Sequence, residues 1–427
     1  MVLNIVLGLL AALSLLVLLW QWIVARRFPL HQRQANPSVA PGITLLKPLK
    51  GCDQTTEGCL RSWFEQEYGG PIQILFGVAS AEDPVCAVVN RLIREYSDLP
   101  GSSQTTAELV VCGPLLGPNA KVSKLVQLEE LSQHDLLVVS DADVKVPSDF
   151  FSNFIQPLTR RDSDKLPIGL VNCFYRLANP VNRAMRWEAI AINADFWSQV
   201  LQAQSLKPIE FALGAVMGIH KRQVLEIGGF KSLVDCLADD YQLGNRLAQK
   251  GYRIEIATVP VECWSEPMDW RDVWKHQLRW ARTIRVSQPI PYFFSILSNA
   301  TLWPLLWMVT KPSPISAVFA AVCLYFRMLI AVDLQRRLLQ PEMNTDEELL
   351  DRAEKAQRSG QEETESKILW SAWMAPVKDI LQTAIWFLSF LGNQIEWRGE
   401  RLRLRRDGTL ESCRVDNVSY SDRKAAK

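Results

Sequence analysis

The stretch "LLVVSDADVKVPSDF", Leu136 to Phe150, sets two aspartates one residue apart directly after a run of apolar side chains. Leu136, Leu137, Val138 and Val139 call for a core. Asp141 and Asp143 call for water, a partner or a cation. Two readings stand. One is a strand that ends in a polar turn, because Asp is a common turn residue. The other is a carboxylate cluster at the carboxyl end of a buried strand, where open α/β sheets hold their ligands.

Outward from this stretch, apolar runs alternate with segments of helical spacing. "GITLLKPLKG" (Gly42–Gly51) reads as a buried strand closed by a glycine turn, and "PIQILFGVAS" (Pro71–Ser80) as a second strand. "PVCAVVNRLIREY" (Pro84–Tyr96) is helical, with Pro84 suited to a first turn. "AELVVCG", "LPIGLVNCFYR" and "YRIEIATVPVE" add strands, and "AKVSKLVQLEELSQ" adds a helix. The alternation predicts an α/β domain over residues 29–286, with a mostly parallel sheet and helices on both faces.

Lysine plus arginine (47) nearly balances aspartate plus glutamate (46) in the 427 residues, so no net field argues for a nucleic-acid partner. The nine cysteines form no CxxC pair and only four histidines exist, which predicts reduced thiols in a cytosol-facing domain. Hydropathy says more. Val2–Val24 carries no charge, long enough for a bilayer, and Arg26 and Arg27 follow it. No basic residue precedes the run and no small-residue cleavage site follows it, so residues 1–25 read as a retained anchor. The positive-inside rule puts the amino terminus outside and the following domain in the cytosol.

Pro291–Thr310 and Ser313–Val332 are again apolar and joined by "KPSP", a predicted transmembrane hairpin over residues 291–333. Arg327 inside it must snorkel or face protein. Residues 338–367 are a polar, charged insert, solvated helix or disordered. In residues 368–427 an apolar run, interrupted by Pro376, Lys378 and Asp379, precedes the basic "WRGERLRLRR". This predicts a membrane-associated, re-entrant or surface-bound segment and a cytosolic basic tail.

Three stretches carry candidate chemistry. Asp141 and Asp143 in "SDADV" offer hard oxygen ligands to a divalent cation that also holds a diphosphate. Asp239 and Asp240 in "LADDY" stand at a helix start, where one carboxylate can cap while the other serves as general base. In "DWRDVWKHQLRWARTIR", Val273, Gln277, Trp280 and Ile284 share one stripe, and Arg271, Lys275, Arg279 and Arg282 another. That pattern suits an interfacial helix meeting anionic headgroups, with His276 one turn before Trp280.

In order, "LKPLKG", "EDPVCAVVNRLIREY", "NAKVSKL", "SDADVKV", "GGF" with "LADDY", and "HQLRW" resemble the membrane glycosyltransferases of the ceramide glucosyltransferase group, over about Ile43 to Arg285. "WRGERLRLRRDG" resembles that group's carboxyl end, and "LADDY" and "HQLRWARTIR" look closer to bacterial relatives that glycosylate hopanoids. The resemblance implies a GT-A type nucleotide-diphospho-sugar transferase domain with flanking transmembrane helices, a UDP-sugar donor, Mg²⁺ or Mn²⁺, an inverting mechanism and a membrane lipid acceptor. It implies a multi-pass protein of a bacterial inner membrane.

By position, the resemblance puts Asp83 near the uridine and Asp141 and Asp143 at the donor and metal. It makes Asp240 the base, with Asp239 where many members carry Glu, and Arg279 and Trp280 the end of the Q/R-x-x-R-W motif. His276 departs from that motif, where Gln or Arg is usual. Lys47 and Asn119 also fall within family-like motifs. The expected reaction moves a hexose, glucose first, from a UDP-sugar to a lipid such as ceramide. N-acetylhexosamine transfer to a hopanoid, glucosylation of diacylglycerol, a processive polysaccharide synthase and a non-catalytic binding protein are the alternatives.

Overall fold

The computed structural model describes residues 2–33, 40–97, 104–159, 166–339, 368–369, 371–397 and 400–412, so 340–367 of the predicted polar insert lie outside them. Eight strands form the central sheet: β1 Ile43–Pro48, β2 Ile72–Val78, β3 Thr105–Val111, β4 Leu136–Ser140, β5 Val144–Lys145, β6 Ile168–Leu177, β7 Val216–His220 and β8 Arg253–Cys263. Their spatial order is β3-β2-β1-β4-β7-β6-β8-β5. β1, β2, β3 and β4 are parallel, each joined to the next by a helix-bearing crossover.

The sheet is mostly parallel, as expected, and only β5 and β7 run the other way. β7 runs antiparallel to both β4 and β6, and β5 antiparallel to β8, while β6 and β8 are parallel. An apolar run predicts a buried strand but carries no direction. Here a long helical excursion, Arg183–Leu206, returns the chain from the opposite side before β7.

Alternation along the strands feeds two cores. Leu45, Leu136 and Val138 pack on one face of the sheet, and Leu46, Leu137 and Val139 on the other. Burial on both faces is why these strands read as unbroken apolar runs.

Two helices, Val2–Arg27 and Pro314–Arg337, are long and apolar enough to cross a membrane. The first limb of the expected hairpin is not one helix. Pro289–Ser298 and Leu302–Thr310 meet at a 54° bend, the shape of a broken span or a re-entrant loop. Asn299 sits at the break, accepting hydrogen bonds from the Thr301 and Leu302 amides.

Arg327 faces protein. It is 3% exposed and forks onto Asp379 at 2.8 and 2.9 Å, and it reaches Asp195 at 3.0 Å. Lys378 completes the group at 2.6 Å from Asp195. Asp195 is delivered by a π-helical segment, Ala191–Phe196, inserted between two α-helical stretches of the sheet domain. The charges that interrupted two apolar segments in the sequence thus form one quartet. It ties the sheet domain to Pro314–Arg337 and to the helix Met374–Ser389.

The basic tail is likewise structured in part. Residues Gln394–Trp397 (β9), Glu400–Leu404 (β10) and Leu410–Ser412 (β11) form an antiparallel sheet. Ile395, Leu402, Leu404 and Leu410 pack it against Leu237 of the larger sheet domain.

Candidate active site

The carboxyl ends of β1 and β4 lie side by side, and the site grows from them. Lys47, at the end of β1, is 0% exposed. Its Nζ donates to the Asp141 carbonyl oxygen at 2.5 Å and to Ser140 Oγ at 3.2 Å, and stands 4.9 Å from the Trp63 ring centre. Burial lowers its pKa to about 8 against the pull of nearby acids. Lys47 therefore shapes the turn that presents Asp141 and Asp143 and does not neutralise their carboxylates by direct pairing.

That neutralisation comes from Lys121, in the first turn of the helix Ala120–Glu130. Its Nζ lies 2.7 Å from Asp141 Oδ1 and 3.2 Å from Asp239 Oδ2. Burial opposes its charge, but Asp141, Asp239 and Asp240 outweigh burial and hold its pKa above the ordinary lysine value. Asn119 caps the same helix, accepting from the amides of Lys121 and Val122, and donates to the Cys236 carbonyl at 2.8 Å. It locks the helix that carries Lys121 to the loop that carries the second acid pair.

Asp239 and Asp240 open the helix Asp239–Gln249. Asp239 is 8% exposed and turns to Lys121. Asp240 accepts from the Tyr241 amide at 2.7 Å. Burial, then the Asp239 charge, raise its pKa to about 6. Asp143 has an open face to solvent; the protein packed around the rest of it, then the Asp141 charge, push it up to about 6 as well. The two adjacent acids thus divide their work, one paired and one poised to hold or take a proton. Gly214 makes the room: a Cβ there would come within 2.6 Å of Asp240 Oδ2.

Asp83 stands apart from this cluster. Both its carboxylate oxygens accept from the Gly51 amide, at 3.0 and 3.1 Å, and Oδ1 also accepts from Val85. Gly51 takes φ +74°, so the turn after β1 needs glycine.

The helix Trp270–Ser287 buries Val273, Gln277 and Ala281, whereas Ile284 of the expected stripe is exposed. Trp280 joins the aspartates through rings: it lies 6.2 Å from Phe196, which lies 5.4 Å from Tyr175. Tyr175 on β6 has its phenol pKa raised, by burial first and then by neighbours that include Cys263, Asp240, Asp141 and Asp143. His276 packs 4.7 Å from Trp280 and meets Glu188 through Nδ1 at 2.5 Å. Glu188 is 0% exposed and also accepts from Gln277 at 3.2 Å. Arg279 lines a separate groove beside the carboxyl-terminal sheet, among whose described lining residues the four aspartates do not appear.

Lys121, Tyr175 and Glu188 were missed by sequence reasoning. Lys121 lies inside the quoted "NAKVSKL", and a lysine in the first turn of a helix that follows a strand was a usable signal. Tyr175 and Glu188 gave none, because their partners are distant in the chain. A second cavity, about 360 Å³, is almost wholly apolar and is lined by Trp187, Trp270, Trp274 and Leu381 beside Arg271.

An α/β sheet of this order, with one acid pair directly after β4 and a second at a helix start, flanked by helices apolar enough to cross a membrane, has the architecture of a GT-A type domain. The sequence pattern of glycosyl transferase family 21 matches residues 6–410, and the chain belongs to that family. Ceramide glucosyltransferase 3 of Caenorhabditis elegans is 23% identical over 234 residues, 55% of this chain and 48% of that one. The ceramide glucosyltransferase of Komagataella phaffii is 30% identical over 142 residues, 32% of this chain and 26% of that one. This chain therefore spans about half the length of the first relative and about a quarter of the second. Among solved structures, the mannosyltransferase PcManGT of Pyrobaculum calidifontis, in complex with GDP-Man and Mn²⁺, aligns at a TM-score of 0.48 and 17% identity. That alignment covers 91% of this chain and 98% of the other.

Proposed function

We propose that the chain transfers one hexose, glucose first, from a UDP-sugar to the hydroxyl of a membrane lipid, ceramide or a ceramide-like lipid, with inversion. The observation that carries this is the division of labour at Asp239–Asp240. Lys121 holds Asp239, and Asp240 keeps a raised pKa with no lysine or arginine paired to it among the described contacts. Asp240 takes the proton from the acceptor hydroxyl as its oxygen attacks the anomeric carbon, and the bond to UDP breaks. One such displacement on an α-linked donor gives a β-glycoside.

Asp141 and Asp143 fit a divalent cation. They offer hard carboxylate oxygens at an exposed strand end, and leave positions for diphosphate oxygens and water. Among the described residues no third His, Cys, Asp or Glu closes that shell. Bound there, Mg²⁺ or Mn²⁺ would supply Lewis-acid stabilisation of the leaving diphosphate. Lys121 adds positive charge on the same side. Asp83 stiffens the Gly51 turn on the uridine side and Trp280 packs against sugar or acceptor, whereas Arg279 lines the basic groove in whose lining none of the four aspartates appears.

The lipid assignment is supported by the family, by the apolar helices and by the tryptophan-lined cavity where Met374–Ser389 meets Trp270–Ser287. Multi-pass insertion in a bacterial inner membrane, with the sheet domain cytosolic, fits the arginines that follow both spans. Detergent-purified chain is incubated with separate UDP-sugars and lipid extract, with and without chelator, and products are read by mass spectrometry. A lipid bearing one hexose is expected. A polymer, a water-soluble glycoside alone, or no product would overturn the reading, and full activity after exhaustive chelation would remove the metal from it.

A further inference from the structure

The groove that holds Arg279 encloses about 1250 Å³, and most of the charged side chains in its lining are basic. Lys275, Arg279, Arg282 and Arg285 line it from the helix Trp270–Ser287, and Arg403 and Arg406 from the carboxyl-terminal sheet. Glu396 is the one acid in its lining, and it lies 2.9 Å from Lys275. Arg282 and Arg285 donate to the Gln394 carbonyl and the Asn393 side-chain oxygen, both uncharged. Their Nε–H groups are buried without an acceptor among the described residues. Burial lowers the pKa of both guanidinium groups, and for Arg282 the charge of Arg285 adds to it. A protein that gathers cations this way leaves a strong demand for an outside anion.

The rest of the wall says which anion. Leu278, Val286, Phe390 and Leu391 are apolar, and Leu391 is 66% exposed. Ile290, Phe293, Phe294 and Phe387 on the adjoining helices are exposed as well. A free nucleotide has no use for such a rim; a phosphate that carries acyl chains does. We propose that this groove binds the headgroup of an anionic phospholipid, with its chains against the exposed apolar rim. The site goes beyond the acceptor lipid, which needs a hydroxyl and no negative charge.

Its position couples it to the aspartates. The turn that follows Arg406 is stitched to the loop before Asp239: the Leu237 amide donates to the Gly408 carbonyl, and the Leu410 amide to the Asp235 carbonyl. A phospholipid that seats the sheet therefore steadies the loop that presents Asp239 and Asp240.

The test uses full-length protein in neutral detergent, titrated with dioctanoyl phosphatidylglycerol or dioctanoyl phosphatidylcholine and read by native mass spectrometry. Phosphatidylglycerol is expected to bind at least about tenfold more tightly, from roughly a factor of five per basic residue. The double variant Arg403→Gln, Arg406→Gln is expected to lose that preference, and Arg403→Lys, Arg406→Lys to keep it. UDP binding, followed in parallel, is expected to stay unchanged. Equal binding of the two lipids, or a preference that survives the glutamine variant, would overturn the proposal. So would weakened UDP binding with intact lipid preference, because the groove would then serve the donor diphosphate. If the double variant fails to fold, Arg282→Gln and a salt titration of the wild-type chain decide by the same criteria.

Discussion

Two charged clusters in this molecule solve opposite problems. The quartet of Arg327, Lys378, Asp195 and Asp379 sets two cations against two anions, three of them buried and Asp195 nearly so, beside helices apolar enough to cross a membrane. The site at the ends of β1 and β4 sets Asp141, Asp143, Asp239 and Asp240 around one paired lysine, Lys121. The balanced group satisfies itself and works as a joint. The acid-rich group is left short of positive charge; burial first, and then the neighbouring carboxylate, raise the pKa of Asp143 and Asp240, and the cluster invites a cation. Compensation marks structure here, and deficit marks chemistry.

The largest effect expected from breaking this contrast is at the deficient cluster. Asp240→Asn should keep the fold and UDP binding and lower transfer by roughly 10²–10⁴-fold, the usual cost of a lost general base. Turnover of purified variant above about a tenth of wild type would remove Asp240 from that role. At the balanced cluster, Arg327→Ala should cost about 3–5 kcal/mol of stability, because two aspartates lose their buried partner. Thermal unfolding in detergent measures it. The paired change Arg327→Met, Asp379→Leu should recover part of the loss, and failure to recover any would show that the arginine does more than balance charge.

A finer test moves the base without removing it. Gly214→Ala places a methyl group against Asp240 Oδ2, and the shifted carboxylate should lower kcat by up to about 10²-fold while leaving UDP binding unchanged. Steady-state kinetics with varied donor would separate the two.

The smallest effect concerns pH. The folded pKa of Asp240, about 6, lies above its ordinary value of 3.8, so between these the folded chain binds more protons than the unfolded one. Stability contributed by this group is therefore greatest below pH 3.8 and falls as pH rises through 6. Melting temperature of Asp240→Asn should exceed wild type at pH 7.5 and match it near pH 4. Transfer by the wild type has the opposite trend, declining as pH falls through about 6 and the base is protonated. Equal melting temperatures at pH 7.5 would mean that Asp240 bears no such penalty.

The amino-acid sequence by itself determined the strands, because β1, β2 and β4 are buried on both faces and are therefore mostly apolar. It also determined the acid pair after β4 and the apolar helix Val2–Arg27, since a carboxylate directly after a core strand and an uncharged run of membrane length are local facts. Gly51 belongs with these, as a turn read from its neighbours, whereas the capping role of Asn119 emerged only from the fold. The direction of β7, the bend at Asn299 and the folding of the basic tail into β9–β11 were decided only in three dimensions. So were the partners: Lys121 beside Asp239, Glu188 beside His276, and Arg327 beside Asp379 all join residues far apart in the chain. A side chain's type follows from its own position, but its charge state and its role depend on what the fold brings within a few ångströms, and electrostatic coupling at that range is blind to sequence distance.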